Sequence, residues 1–172
     1  NRKKSGDGFE PAFKKAIYWS CENHWKWATE PNPREKASFL KENILPLQES
    51  GQLKFINRTS DFVQNAFPNI DILFVDGHTD SMMIPHIKYG DKTIVYMADL
   101  LPSVGHIPLP YVMGYDTRPL ITIGEKGKFL NRAADENFIL FLEHDSVNEC
   151  CTVQMTEKGV RLGEAHNLDD LS

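Results

Sequence analysis

Hydrophobic and polar positions divide this chain into two regimes. Over the first fifty residues the apolar positions recur at helical spacing. Phe9, Phe13, Ile17 and Cys21 fall four apart, which places them on one helix face. Asp7 reads as the N-cap of that helix, with Glu10 positioned to reach back to it. Trp19, Trp25 and Trp27 add aromatic mass elsewhere on it, read as packing, and His24 among them reads as a hydrogen-bonded surface residue. Asn32-Pro33-Arg34-Glu35 is a second helix start: a cap, a proline at the first helical position and an acid at the third. This helix is expected to reach about Ser50, to be kinked or cut short at Pro46, and to stop at Gly51.

From Leu53 the period changes. Leu53–Ile56, Ile70–Val75, Met82–Lys88 and Thr93–Met97 are short β-rich runs, with Tyr89-Gly90-Asp91-Lys92 as a hairpin turn, and together they predict an antiparallel meander. A proline-studded loop follows from Leu101 to Tyr115. Asp116 or Thr117 then caps a third helix running to about Ala134, weakened by Gly124 and Gly127. Phe138–Leu142 reads as a buried strand, and Cys150–Met155 with Val160–Leu162 as a closing hairpin. From Asn167 an acidic tail, with His166 solvated beside it, is expected to fray. The pattern is that of a single mixed α/β unit over residues 1–172, with a helical segment to residue 52.

Composition narrows the function classes. A net charge of −5 over 172 residues, with one short basic cluster at Arg2-Lys3-Lys4, argues against nucleic acid as a partner. No apolar stretch approaches the ~20 residues of a membrane span, and no signal-peptide core follows the basic start. Three cysteines, two adjacent at Cys150-Cys151, make no disulfide framework. They read as reduced and structural, in a cytoplasmic protein, with one of the adjacent pair pointing into the core. The first methionine is Met82, which suggests a piece of a longer polypeptide.

The candidate chemistry lies where strand-like runs give way to loops: His78 in Asp-Gly-His-Thr, Asp99 in Met-Ala-Asp-Leu, and His144 in Glu-His-Asp. Two imidazoles and a carboxylate suit zinc, manganese or iron. Asp76, Asp80 and Asp145 flank them, and at least one is expected to accept a hydrogen bond from a ligating histidine. His106 and Tyr111 lie in the loop after Asp99, where they are candidates to orient substrate or protonate a leaving group. The competing reading makes His106 a hydrogen-bonded loop residue and Tyr111 packing. His86, beside Pro85 in a strand, reads as structural.

Gly77-His78-Thr79 after a strand, Ala98-Asp99 after the next hairpin, and Glu143-His144-Asp145 after a helix and strand resemble the later metal-binding motifs of the metallo-β-lactamase superfamily. The intervals, 21 residues and then 45, fit as well. The resemblance covers roughly Leu53 to Leu162 and is nearest the lactonase-like and organophosphate-hydrolase-like branch. It implies an αββα sandwich with two zinc ions at its edge, His78 on one ion, His144 on the other and Asp99 bridging. It further implies a metal-bound hydroxide that cleaves an ester-like bond, such as a lactone or phosphoester, in a small-molecule substrate.

The family's upstream His-x-His-x-Asp-His motif is missing, since no His-x-His occurs here. The chain therefore resembles the carboxy-terminal half of such a domain, preceded by two helices. By itself it is expected to bind metal weakly and to be inactive. Its open sheet face and edge call for the missing amino-terminal half or a second copy of the chain. Two rival readings are a non-catalytic fragment or partner-binding module, and an iron-dependent redox relative.

Overall fold

The computed structural model describes residues 2–5 and 8–171, with side chains from Gly8 onward. The chain divides into two compact units, Asn1–Arg58 and Thr59–Ser172.

In the first unit the helix expected after Asp7, itself outside the described residues, gives way to a hairpin. Strands β1 (Arg2–Ser5) and β2 (Gly8–Pro11) pair antiparallel. Of the supposed helix face, Phe9, Phe13 and Ile17 are exposed and Cys21 alone is buried. Pro11 interrupts the run and offers no amide hydrogen to a helix. Spacing of four is not enough when the backbone between cannot propagate. After β3 (Tyr18–Ser20), α1 starts only at Glu22 and ends at Thr29.

Asn32 does cap, its Oδ1 accepting from Arg34 N and Glu35 N at 2.9 and 3.1 Å. What it starts is a turn. The buried Glu35 carboxylate is drawn to Trp27 Nε1 at 2.7 Å, and the helix proper, α2, begins after Leu40 and spans Lys41–Glu49. Pro46 sits inside α2 rather than ending it, and Ser50 N still bonds its carbonyl at 3.1 Å. Gly51 stops the helix at φ +74°. Strand β4 (Leu53–Phe55), expected in the meander, pairs in parallel with β3 instead.

The second unit is a seven-stranded sheet. Its strands are β5 (Phe62–Phe67), β6 (Ile70–Val75), β7 (Met82–Tyr89), β8 (Lys92–Tyr96), β9 (Ile139–Phe141), β10 (Cys150–Thr156) and β11 (Gly159–His166), ordered β11-β10-β9-β8-β7-β6-β5. Strands β6 to β8 form the expected meander, and β5, which escapes a hydrophobic reading, takes the place expected of β4. The centre of β5, Gln64-Asn65, is polar, with a register shift and Asn65 at φ 50°. The β8–β9 pair is parallel, which requires a crossover, and α3 (Pro119–Asp135) supplies it.

Phe129, Leu130 and Ala133 of α3 pack with Val75, Ile84, Val95, Met97, Leu140 and Cys151 in the main core. His86 is buried edge-on to the Phe62, Phe129 and Phe138 rings, where burial pushes its pKa down. Its structural role is as expected. Both adjacent cysteines are buried, because β10 is covered on two sides: Cys151 faces the main core, while Cys150 packs with Ile139 and Leu171. Through Leu171 the tail is therefore packed, not frayed. Leu168–Leu171 forms a 3-10 turn, with Leu171 buried and its carbonyl held by Lys92 Nζ at 3.3 Å. His166 ends β11 opposite Cys150 and is half-buried. Among the described residues no helix is long and apolar enough to cross a membrane.

Candidate metal centre

The loop after β6 carries Asp76-Gly77-His78-Thr79-Asp80-Ser81, and the amino-terminal half of α3 holds it. The Glu125 carboxylate accepts from Asp76 N at 2.7 Å and Gly77 N at 3.0 Å. The Arg118 guanidinium donates to the Asp76 carbonyl and to Asp80 Oδ2. Gly77 has to be glycine, since a Cβ there would lie 2.3 Å from Thr122 N. Asp76 Oδ1 accepts from Ser81 N at 2.8 Å, closing the loop around Ser81 at φ 54°.

The expected caps of α3 are diverted to this loop. The Thr117 hydroxyl donates to the His78 carbonyl at 3.0 Å, and the buried Asp116 Oδ1 lies 2.9 Å from His78 Nδ1. Thus α3 begins at Pro119 after Arg118, without a side-chain cap.

Asp99 follows β8 in a single 3-10 turn, Ala98–Leu100. Ala98 stands at φ 42°, a left-handed conformation costing ~1–2 kcal/mol for a residue with a Cβ. The burial of Ala98, Leu100 and Leu101 holds the turn in place. His144 follows β9, with its amide on the Pro102 carbonyl at 3.2 Å.

Three residues distant in sequence thus converge. His78 Nε2 lies 3.3 Å from Asp99 Oδ2, and His144 Nε2 lies 3.2 Å from Asp99 Oδ1. Asp99 Oδ1 is buried without a hydrogen bond of its own among the described residues. His78 thus stands between two carboxylates, Asp116 at Nδ1 and Asp99 at Nε2, an arrangement favourable with positive charge on the ring or between Nε2 and Asp99.

A tetrahedral zinc with bonds of about 2.0–2.1 Å sets its donors about 3.3 Å apart. The donor types and spacings at Asp99 therefore fit a divalent ion on either side of this carboxylate. Nevertheless, among the described residues no group of three or more His, Cys, Asp or Glu side chains is arranged to hold an ion. The trio forms two pairs sharing one carboxylate, which is an incomplete site.

The carboxylate on a candidate ligand is Asp116, which the sequence suggested only as a helix cap. Of the three acids expected there, Asp76 bonds Ser81, Asp80 bonds Arg118 and Ser81, and Asp145 bonds the amides of Val104, Val147 and Asn148. Burial works against charge on Asp145, but those amides outweigh it and hold its pKa below the ordinary value.

Tyr96 was also missed. Burial, then a hydrogen bond to Glu143 and the charges of Glu143 and Asp99, push its hydroxyl well above the ordinary value. It stays a neutral donor beside the site.

His106 Nδ1 lies 2.9 Å from the Ser103 hydroxyl, and the Tyr111 side chain is 60% exposed. Neither side chain hydrogen-bonds or ion-pairs with the trio among the described residues. Burial, and then the charge of Lys126, lower the His106 pKa.

No family model and no curated protein matches this sequence. Solved structures do resemble it. A probable metal-dependent hydrolase from Staphylococcus aureus superposes over 92% of this chain and 56% of its own, with TM-score 0.73 at 21% identity. The hydrolase AbOPH of the β-lactamase superfamily gives 0.71 at 16%, covering 88% and 56% of the two chains. AidC, a dizinc quorum-quenching lactonase in complex with a homoserine product, gives 0.63 at 18%, over 87% and 55%. The chain spans about half the length of these structures. At such identities the likeness establishes the fold, that of metal-dependent hydrolases of the β-lactamase superfamily.

Proposed function

We propose that this chain is the carboxy-terminal half of a metal-dependent hydrolase, supplying three ligands to a two-ion site that a separate segment completes. The observation carrying this reading is the convergence of His78 and His144 on the two oxygens of Asp99, at 3.3 and 3.2 Å. His78 would hold one ion and His144 the other, with Asp99 shared between them. Zinc fits the donor set best, and manganese or iron also accept it. The ions would supply activation of water and polarisation of a carbonyl or phosphoryl oxygen in an ester-like substrate. The chain's own residues orient that site: Asp116 fixes the His78 tautomer, and Tyr96 holds a proton beside Asp99.

The partner is the complementary half, carrying the remaining histidines and aspartate, or else a second copy of the chain. Edge strands β5 and β11, and exposed apolar side chains such as Ile87, Met155 and Leu162, leave room for it. The buried, free cysteines support a reducing, cytoplasmic setting.

The absence of a closed ligand group among the described residues favours a second reading, a fragment that folds without catalysing. Metal analysis decides between them. The chain co-purified with a segment bearing His-x-His-x-Asp-His is expected to hold about two zinc equivalents, reduced by Asp99→Asn, and to hydrolyse a lactone or phosphotriester. If the reconstituted pair binds no metal, the hydrolase reading fails and the non-catalytic one stands.

A further inference from the structure

Lys126 is a buried ammonium at the centre of α3 that the proposed chemistry does not use. It is 0% exposed. Its Nζ donates to the carbonyls of His106 at 2.8 Å, Pro108 at 3.4 Å, and Tyr111. These three acceptors lie within six residues of the loop that leads from Asp99 to Asp116. An ammonium has three N–H donors, and here three carbonyls face them.

Apart from Ile107, which is buried in the main core, this stretch is backed by open space. A cavity of about 330 Å³, lined by Ile107, Leu109, Pro110, Leu130 and Val160, separates it from the β10–β11 hairpin. The residue of α3 preceding Lys126, Glu125, grips the His78 loop. One helix thus secures both segments that lead to the site.

We propose that Lys126 is a positioning residue, whose ammonium form sets the conformation of residues 106–111 and with it the placement of His106 and Tyr111. The amine form has two donors and a lone pair, so one of the three carbonyls loses its partner and faces that lone pair instead. The segment then loosens into the space behind it.

Burial lowers the Lys126 pKa from 10.5 to about 8, against the charge of Asp116, which favours the ammonium. The other ionisable group facing it is the His106 ring, whose own pKa Lys126 lowers. Strands β10 and β11 present Cys151, Val153 and Val160 to the core they share with α3. Lys158 and Arg161 line the far side of the cavity.

The linkage has a useful sign. Between about pH 8 and the ordinary lysine value the unfolded chain holds more protons than the folded one. Global stability from this group therefore rises with pH in that window, while order in the loop falls. Local loosening and global unfolding move in opposite directions.

Amide hydrogen exchange on the 172-residue chain between pH 6.5 and 9.5, corrected for intrinsic base catalysis, tests the proposal. Protection at the amides of His106, Ile107 and Tyr111 is expected to drop about tenfold with a midpoint near 8, the size of one lost hydrogen bond. Amides of β6 to β9 should hold their protection. In Lys126→Met the three loop amides should exchange fast at every pH, with the sheet still protected. Flat loop protection across pH 8 in the unmodified chain would overturn the proposal, whether or not the variant folds. Unchanged loop protection in a folded Lys126→Met would do the same. The placement of catalytic candidates rests on the hydrolase reading, but these readouts require neither metal nor activity, so the two can fail separately.

Discussion

The two histidine loops meet at one carboxylate but are built differently. His78 is 16% exposed at its side chain, and its loop is surrounded by Asp116, Thr117 and Arg118 just before α3 and by Thr122 and Glu125 within it. His144 is 55% exposed, and its loop is organised by the main-chain amides that Asp145 gathers. One ligand candidate is preorganised by the chain's own tertiary structure. The other is positioned by its backbone, while its imidazole remains open to solvent. In an incomplete site this asymmetry sets which loop loses most on mutation and which loses little.

The largest effect is expected at Gly77→Ala. The added Cβ collides with main chain at Thr122 rather than with a flexible side-chain end. A cost of about 3 kcal/mol or more follows from overpacking, read as a lower urea midpoint. Wild-type stability in this variant would mean that α3 and the His78 loop separate easily, and the contrast between the loops would collapse.

Asp116→Asn comes next. Loss of an orienting carboxylate weakens metal affinity by about 10–100-fold in comparable sites. A zinc titration of the completed site should show that drop for the ion on His78 and little for the ion on His144. Equal losses at both would erase the asymmetry.

Asp145→Ala should cost about 1 kcal/mol, because the amides it releases are partly solvated. The folded pKa of Asp145 lies below its unfolded value, so its contribution is full above about pH 4 and is lost as pH falls through the folded value. Wild type and variant should therefore converge in stability as pH falls below about 4, measured by denaturant midpoints. Divergence in that range would contradict the assignment.

The smallest effect on stability belongs to His144→Ala, within about 0.5 kcal/mol, as for other exposed positions. The same variant should still lose zinc from the completed site. A large loss of stability would show that His144 is as embedded as His78.

Much of the second unit was legible from Ile70 onward, because a strand buried on at least one face announces itself by its apolar residues and its bounding turns. Val75, Ile84, Val95 and Leu140 sit in the core for that reason. The trio was readable for a related reason: each member stands where such a run ends. Strand β5 was not, because its polar centre forms a bulged edge, where pairing rather than burial defines the strand. The first unit misled for the converse reason. Phe9, Phe13 and Ile17 keep helical spacing but are exposed in a segment of hairpin and turn.

The sequence by itself determined which residues stand at the strand ends, since alternation and turn chemistry are local and survive without knowledge of the partner elements. It also determined that no His-x-His pair occurs among these 172 residues. Only the tertiary structure decided that Asp116 serves His78 instead of capping α3, that Gly77 is demanded by Thr122, and that Lys126 points inward to three carbonyls. A carboxylate or an ammonium carries the same local signature wherever it is used. Its role is set by which groups, 15 to 38 residues away in these cases, folding brings within hydrogen-bonding distance.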